Sequence, residues 1–289
     1  MDTATKNIGG GLKELPKDER DFSFGAIFGS VPLSELPAEY EVRKPLAIKQ
    51  QEDSDLCTAF AACAVSEDQE GIELGPEYLF AKTKKIEGDW KTWGADLRSV
   101  CKAITKFGTL SKIETIWKLE DKGRDWVADW SNWPETLDGV AGQFRKKSYF
   151  SVTGPYDAFD NIRSAMWINR EEERSVLTGC MWEFDWTLSP KGIIPEEAGR
   201  DSFGHAFKIF GWKRINGTVY LKAQLSNGEE IGDKGIFYFP RNVVNRKFTF
   251  GSFTFQDISG EEAKVLLEKK WSIGKRILAK IIAVWRSIF

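Results

Sequence analysis

The chain has 289 residues, 41 Lys/Arg against 43 Asp/Glu, and an ordinary share of apolar residues, enough for one large soluble core or two small ones. A formal charge of −2 with no basic block outside the C-terminus excludes a polyanion-binding main body, so no nucleic-acid partner is expected. Four cysteines without CxxC spacing and a single histidine argue against a zinc site and a disulfide framework, and no metal or cofactor is expected.

The N-terminus lacks the basic-then-apolar run of a signal peptide, and nowhere do about 18 apolar residues run together, so a cytoplasmic or virion-associated location is expected. Residues 1–44 carry Gly9-Gly10-Gly11, the prolines Pro16, Pro32 and Pro37, and a charged run from Lys17 to Asp21. They read as an extended lead-in, a short pro-segment or a strap, without a helix of useful length. From Asp55 a helical pattern begins, with Ser54 or Asp55 as cap and Leu56, Phe60, Cys63, Ala64 and Glu67 at helical spacing, which puts Cys57 in the first turn. A second helix is expected over 76–84, opened by Pro76, and a third over 95–104, ended near Gly108.

Trp126, Trp130 and Trp133 recur at i, i+4 and i+7, the spacing of a core-facing helix stripe. Beyond Gly199 the pattern changes to β-like runs at 206–212, 218–223 and 235–240, separated by the turn signals Asn216-Gly217 and Asn227-Gly228. A helical half followed by an antiparallel β half is an α+β layout. From Lys269 to Phe289 there are six Lys/Arg and no acid, with an apolar stripe from Ile277 to Phe289 at helical spacing. This is a basic amphipathic helix over 270–289, suited to an anionic membrane surface or a protein partner's groove, or to packing on its own domain. The expected division is a lead-in at 1–44, a domain at 45–250 and a tail at 251–289.

Any imidazole chemistry must use His205, and Cys57, 148 residues upstream, is placed where a helix N-terminus favours the thiolate. Cys63, Cys101 and Cys180 are expected to be packing residues. Residues from about 45 to 250 resemble the papain family of cysteine peptidases, in its bacterial-type branch. Gln51 stands six before Cys57; Leu74-Gly75-Pro76-Glu77-Tyr78-Leu79 resembles the family's Leu-Ser-Pro-Gln-Tyr-Leu segment; Gly204-His205-Ala206 matches its histidine motif; and Gly232 to Pro240 is similar to its closing strand. The short cysteine signature is not satisfied, because Ser54 and Thr58 replace a cysteine and an aromatic, although the long Cys-to-His separation fits.

The resemblance implies a papain-like fold with the active-site cleft between a helical half and an antiparallel sheet or barrel half. It also implies Cys57 as nucleophile, His205 as general acid and base, Gln51 in the oxyanion hole and peptide or protein substrates. Gly94 falls near the backbone that pairs with substrate. When the family's Asn-Ser-Trp-Gly-x-x-Trp-Gly-Asp is laid on Gly232-Asp233, Leu225 takes the asparagine's place, with Gln224 or Asn227 within reach if the loop is displaced. That departure predicts weakened activity, or a catalytically degenerate papain-fold protein serving in binding or assembly, for instance in a phage particle.

Overall fold

A computed structural model describes residues 10–14, 18, 21–115, 117–196, 201–258, 261, 262 and 265. The amphipathic segment 270–289 lies outside the described residues. Nine α-helices are found among the described residues: α1 Phe24–Phe28, α2 Cys57–Glu70, α3 Pro76–Glu87, α4 Leu97–Lys106, α5 Leu119–Lys122, α6 Arg124–Ala128, α7 Leu137–Ala141, α8 Ala158–Ile168 and α9 Arg241–Lys247. The strands are β1 Tyr40–Glu41, β2 Leu74–Gly75, β3 Leu110–Ser111, β4 Ser148–Ser151, β5 Val176–Glu183, β6 Asp201–Ile215, β7 Thr218–Gln224, β8 Ile236–Pro240 and β9 Ser252–Gln256.

The sequence explains the helices on the first side of the molecule. Glycines in the left-handed region close α2 and α3: Gly71 (φ 71°) and Gly88 (φ 79°) return their N–H groups to Glu67 O and Lys84 O. Pro76 opens α3, where a missing N–H costs nothing. Asp96 caps α4 by accepting from the Ser99 N–H at 2.8 Å. Helix α2 differs from its neighbours in having twelve of its fourteen residues buried, which its alanines and cysteines permit. Its start is not capped as the sequence suggests: Leu56 occupies the cap position with no side-chain bond, and Asp55 is engaged elsewhere.

Among the described residues the main sheet has seven strands in the order β4-β9-β5-β6-β7-β8, with β1 added to β6 and all pairings antiparallel. One apolar cluster gathers α2, α3, α4 and the tryptophan region; a second gathers α8, α9 and the sheet. The architecture is α+β, with helices α2–α4 on one side and the sheet on the other. Strand β9 carries the sheet past residue 250, and β1 with α1 ties residues 24–41 into the body through β6 and α8.

The tryptophan stripe is not one helix. Trp126 lies in α6, Trp130 begins a 3-10 turn and Trp133 follows it, because Asp129 breaks the α6 pattern and caps that turn by accepting from Ser131 N at 2.9 Å. The rings still meet, Trp117, Trp126 and Trp133 having centroids 5.5–5.8 Å apart, so the core role holds by another route.

Helix α2 packs along β6, and the two are joined by a buried ion pair, Lys208 Nζ to Asp68 Oδ1 at 2.9 Å, with both side chains 1% exposed. Removing one partner leaves an uncompensated buried charge. Lys208→Met is therefore expected to cost about 3–5 kcal/mol in urea unfolding, whereas Lys208→Met with Asp68→Leu recovers most of that loss.

Candidate active site

The seam between α2 and β6 brings the chemically distinctive residues together. Cys57 is the first residue of α2, where orphan backbone N–H groups and the helix dipole favour negative charge. His205 lies on β6, and the amide of the next residue, Ala206, is one of the backbone donors that act on the Cys57 sulfur. Both side chains are fully buried.

The group behind the imidazole is Asn227, not Leu225. Its Oδ1 lies 2.8 Å from His205 Nε2, which makes Nε2 the protonated nitrogen, since an amide oxygen only accepts. The opposite nitrogen, Nδ1, has no hydrogen bond among the described residues. Counting back from Asp233 points to Leu225, whereas the residue that meets the ring lies two positions further along the chain. Leu225 packs into the sheet-side core, and Gln224 donates to Ala47 O at 2.9 Å.

Gln51 is fully buried on the other flank. Its Nε2 donates to Ser54 O at 2.8 Å, and its Oε1 accepts from Ser226 Oγ at 2.6 Å. Its backbone N–H reaches Ser226 O at 2.8 Å, so residues 226 and 227 hold both Gln51 and His205.

The cleft carries an occupant from its own chain. Residues 10–13 cross it, with Gly11 N and Leu12 N each 3.0 Å from Gly204 O on one wall. On the other, Ala95 N donates to Gly11 O at 2.8 Å and Lys13 N to Ala95 O at 3.0 Å. Trp93 Nε1 adds a bond to Gly10 O at 2.8 Å, and the bridge between Leu12 and Ala95 is parallel. The glycine run now has a reason. A Cβ on Gly11 would stand 2.2 Å from Asp55 O, and one on Gly10 2.2 Å from the Phe203 ring. The walls are equally bare: a Cβ on Gly94 would lie 2.0 Å from Gly11 O, and one on Gly204 2.1 Å from Leu12 O. Gly94 thus provides clearance, at φ 71°, while Ala95 makes the backbone pairing.

This enclosure sets the charge state of both groups. Burial pushes the Cys57 thiol up to about 12, helped by the nearby Asp55 charge and opposed by the amides of Ala206, Gly11 and Thr58. Burial lowers His205 to about 4 against the contrary pull of Asn227. Near neutral pH the closed cleft therefore holds a neutral thiol and a neutral imidazole. The other three cysteines are buried and unpaired by disulfides, and no cluster of metal-ligating residues occurs among the described residues. Nor is any described helix long and apolar enough to cross a membrane.

No protein-family model matches the chain. Over 70 residues it is 34% identical to the cathepsin B-like cysteine proteinase 3 of Ostertagia ostertagi, a stretch covering 24% of this chain and 40% of that relative. The fold is similar to that of xylellain, a cysteine protease from Xylella fastidiosa, with a TM-score of 0.70 at 17% identity over 86% of this chain and 96% of that one. It is also similar to digestive procathepsin L 3 of the Tenebrio molitor larval midgut, with a TM-score of 0.64 at 15% identity over 87% and 77% of the two chains. Bromelain from Ananas comosus in complex with the E64 inhibitor matches at a TM-score of 0.57 and 18% identity, over 76% and 99%.

One histidine gives one imidazole signal, which makes its titration directly readable. With the cleft closed, the ring should stay neutral down to about pH 4 by NMR. Because the unfolded state takes this proton first, near its ordinary 6.5, the group's contribution to stability is present above that pH and is lost as pH falls through about 4. His205→Gln should flatten that part of the stability profile, in which a tenfold difference in proton affinity between the folded and unfolded chains is worth about 1.4 kcal/mol.

Proposed function

Taking the papain-like α+β fold as premise, we propose that the protein is a cysteine peptidase whose cleft is held closed by residues 10–13. The observation that carries this reading is the hydrogen bond from His205 to Asn227 beside a cysteine at a helix start, with Gln51 locked into the same frame. Substrates are peptides or proteins.

In the proposed reaction the Cys57 thiolate attacks the scissile carbonyl and a C–S bond forms. The oxyanion accepts hydrogen bonds from the Cys57 backbone N–H and the Gln51 carboxamide, and the imidazolium of His205 gives its proton to the departing amine as the C–N bond breaks. Water then attacks the acyl carbonyl as His205 takes its proton, the C–S bond breaks to release the acid product, and the Cys57 thiolate is regenerated beside the imidazolium. Asn227 keeps the proton on Nε2 and leaves Nδ1 to serve the sulfur. An asparagine rather than a leucine behind the ring supports the peptidase reading over a weakened or purely structural role.

Closure by the strap fits the electrostatics. A neutral pair is not the reactive form; thiolate and imidazolium stabilise each other only where the site is hydrated or charged. The strap runs parallel to the Ala95 edge and fills the space a substrate needs, so it acts as a self-inhibitor. Strap release would admit water, lower the thiol and raise the imidazole.

The test uses the full chain. Gly11→Val cannot fit against Asp55 and should displace the strap, raising the rate of Cys57 labelling by a peptidyl epoxysuccinyl reagent at least tenfold and revealing peptide hydrolysis that Cys57→Ala abolishes. Labelling in Gly11→Val no faster than that of a free cysteine would sink the peptidase reading. Within the active variant, Gln51→Ala should lose about 100-fold or more in kcat/KM, the loss of one oxyanion donor being worth about 2.7–4 kcal/mol.

A further inference from the structure

Two residues before Cys57 the chain buries a carboxylate completely, that of Asp55. Arg124, the first residue of α6 and 69 positions away, forks onto it, with Nε 3.0 Å from Oδ1 and Nη2 2.8 Å from Oδ2. Planar bidentate pairing of this type fixes orientation as well as distance. The same guanidinium donates to Trp90 O at 2.8 Å and to Thr92 O at 2.6 Å. Asp55 Oδ2 in turn accepts the Gly94 N–H. The next residue, Ala95, supplies the N–H and C=O with which an extended chain pairs in this cleft.

One cation is thus bonded to both lips of the cleft: to the loop that leads into the nucleophile helix, and to the 90–94 loop that ends at the pairing edge. The fork and the direct Asp55–Gly94 bond together link the two lips. We propose that Arg124 is a positioning residue of the cleft, holding the Ala95 edge against the start of α2 through Asp55, so that a paired peptide presents its carbonyl at Cys57. For its substrate the proposal rests on the peptidase reading.

A second consequence is electrostatic. The Asp55 carboxylate disfavours the thiolate, and Arg124 is its counter-ion. The charged groups around this point are Asp55 itself, Arg124, the mostly exposed Asp125 on α6, which takes Arg124 Nη1 at 3.1 Å, and, on the far side of the 90–94 loop, the buried Lys84 of α3, which donates to Gly94 O at 2.8 Å and shares Glu87 with Lys13 of the strap. His205 faces the site from β6 and is neutral in the closed cleft. Removing Arg124 leaves Asp55 unbalanced beside the sulfur, whereas removing both charges does not.

The experiment measures Cys57 alkylation by iodoacetamide against pH, and peptidyl epoxysuccinyl labelling, in the full chain with and without Gly11→Val. Arg124→Gln is expected to move the alkylation profile up by about one pH unit and to slow the peptidyl reagent at least tenfold. Adding Asp55→Asn should restore the alkylation profile but not the peptidyl rate. Arg124→Lys, which keeps the charge and loses the fork, should keep the profile and lose the peptidyl rate. If Arg124→Gln leaves both readouts within twofold of the parent, the proposal is overturned. It is also overturned if Arg124→Lys changes profile and rate together only as its melting temperature falls. Where Arg124→Gln does not fold, Asp55→Asn alone must lower the alkylation profile, and an unchanged profile overturns the proposal. A profile that moves as expected in a protein that cleaves no peptide supports the coupling and removes the peptidase reading instead.

Discussion

The packing of α2 along β6 is the constraint from which the rest of the site follows. A helix buried on nearly all sides cannot slide or rotate without leaving voids in a close-packed interior, so its first residue has one address. Charges inside that contact sharpen the address further. Lys208 reaches from β6 to Asp68, and Lys49 pairs with Glu67 one position earlier on the same helix while also donating to Leu74 O. Such pairs add little net stability over an apolar contact, but only one register satisfies both. Cys57 is thereby held opposite the 204–206 segment of β6, whatever the loops above it do.

Enclosure and chemistry then pull against one another. The same burial that fixes the sulfur and the imidazole removes the water that either needs in order to carry charge, and the strap completes the exclusion. Its backbone is bonded on both walls, and it fits only because Gly10, Gly11, Gly94 and Gly204 bring no Cβ into the gap. Its side-chain anchors are few, Leu12 in the core and the part-exposed Lys13 on Glu87 and Thr92, so the strap is held by a handful of contacts that can open locally without unfolding the body. In the proposed mechanism, departure of the strap changes solvation, and solvation rather than any movement of Cys57 or His205 turns the pair on.

Much of this is legible in the chain itself, for reasons that differ by residue. Cys57, His205 and Gln51 stand out because one imidazole leaves no choice of partner and because their order along the chain is that of a known peptidase family. Helix α3 announces its start through Pro76, a local signal, while the closing glycines Gly71 and Gly88 and the cap Asp96, inside the segment expected to be helical from 95, are equally local and set the remaining ends. Asn227 escapes a motif laid by counting, since counting presumes a loop of fixed length and the residue that meets His205 is set by the path of the loop. The Trp126, Trp130 and Trp133 spacing misleads because a helix followed by a 3-10 turn preserves nearly the same angular order. Arg124 gives no signal at all: its partners lie on loops far away in sequence, and an arginine beside an aspartate is ordinary at any surface.

The short loop after β7 shows why the asparagine matters beyond orienting a ring. Ser226 bonds Gln51 through both backbone and side chain, Asn227 bonds His205, and Gly228 N donates to Lys49 O at 3.0 Å. Three successive residues therefore connect the oxyanion flank, the imidazole and the Lys49 anchor of α2. A displacement of this loop cannot disturb one of them alone, and errors of about 1 Å in such constellations are costly.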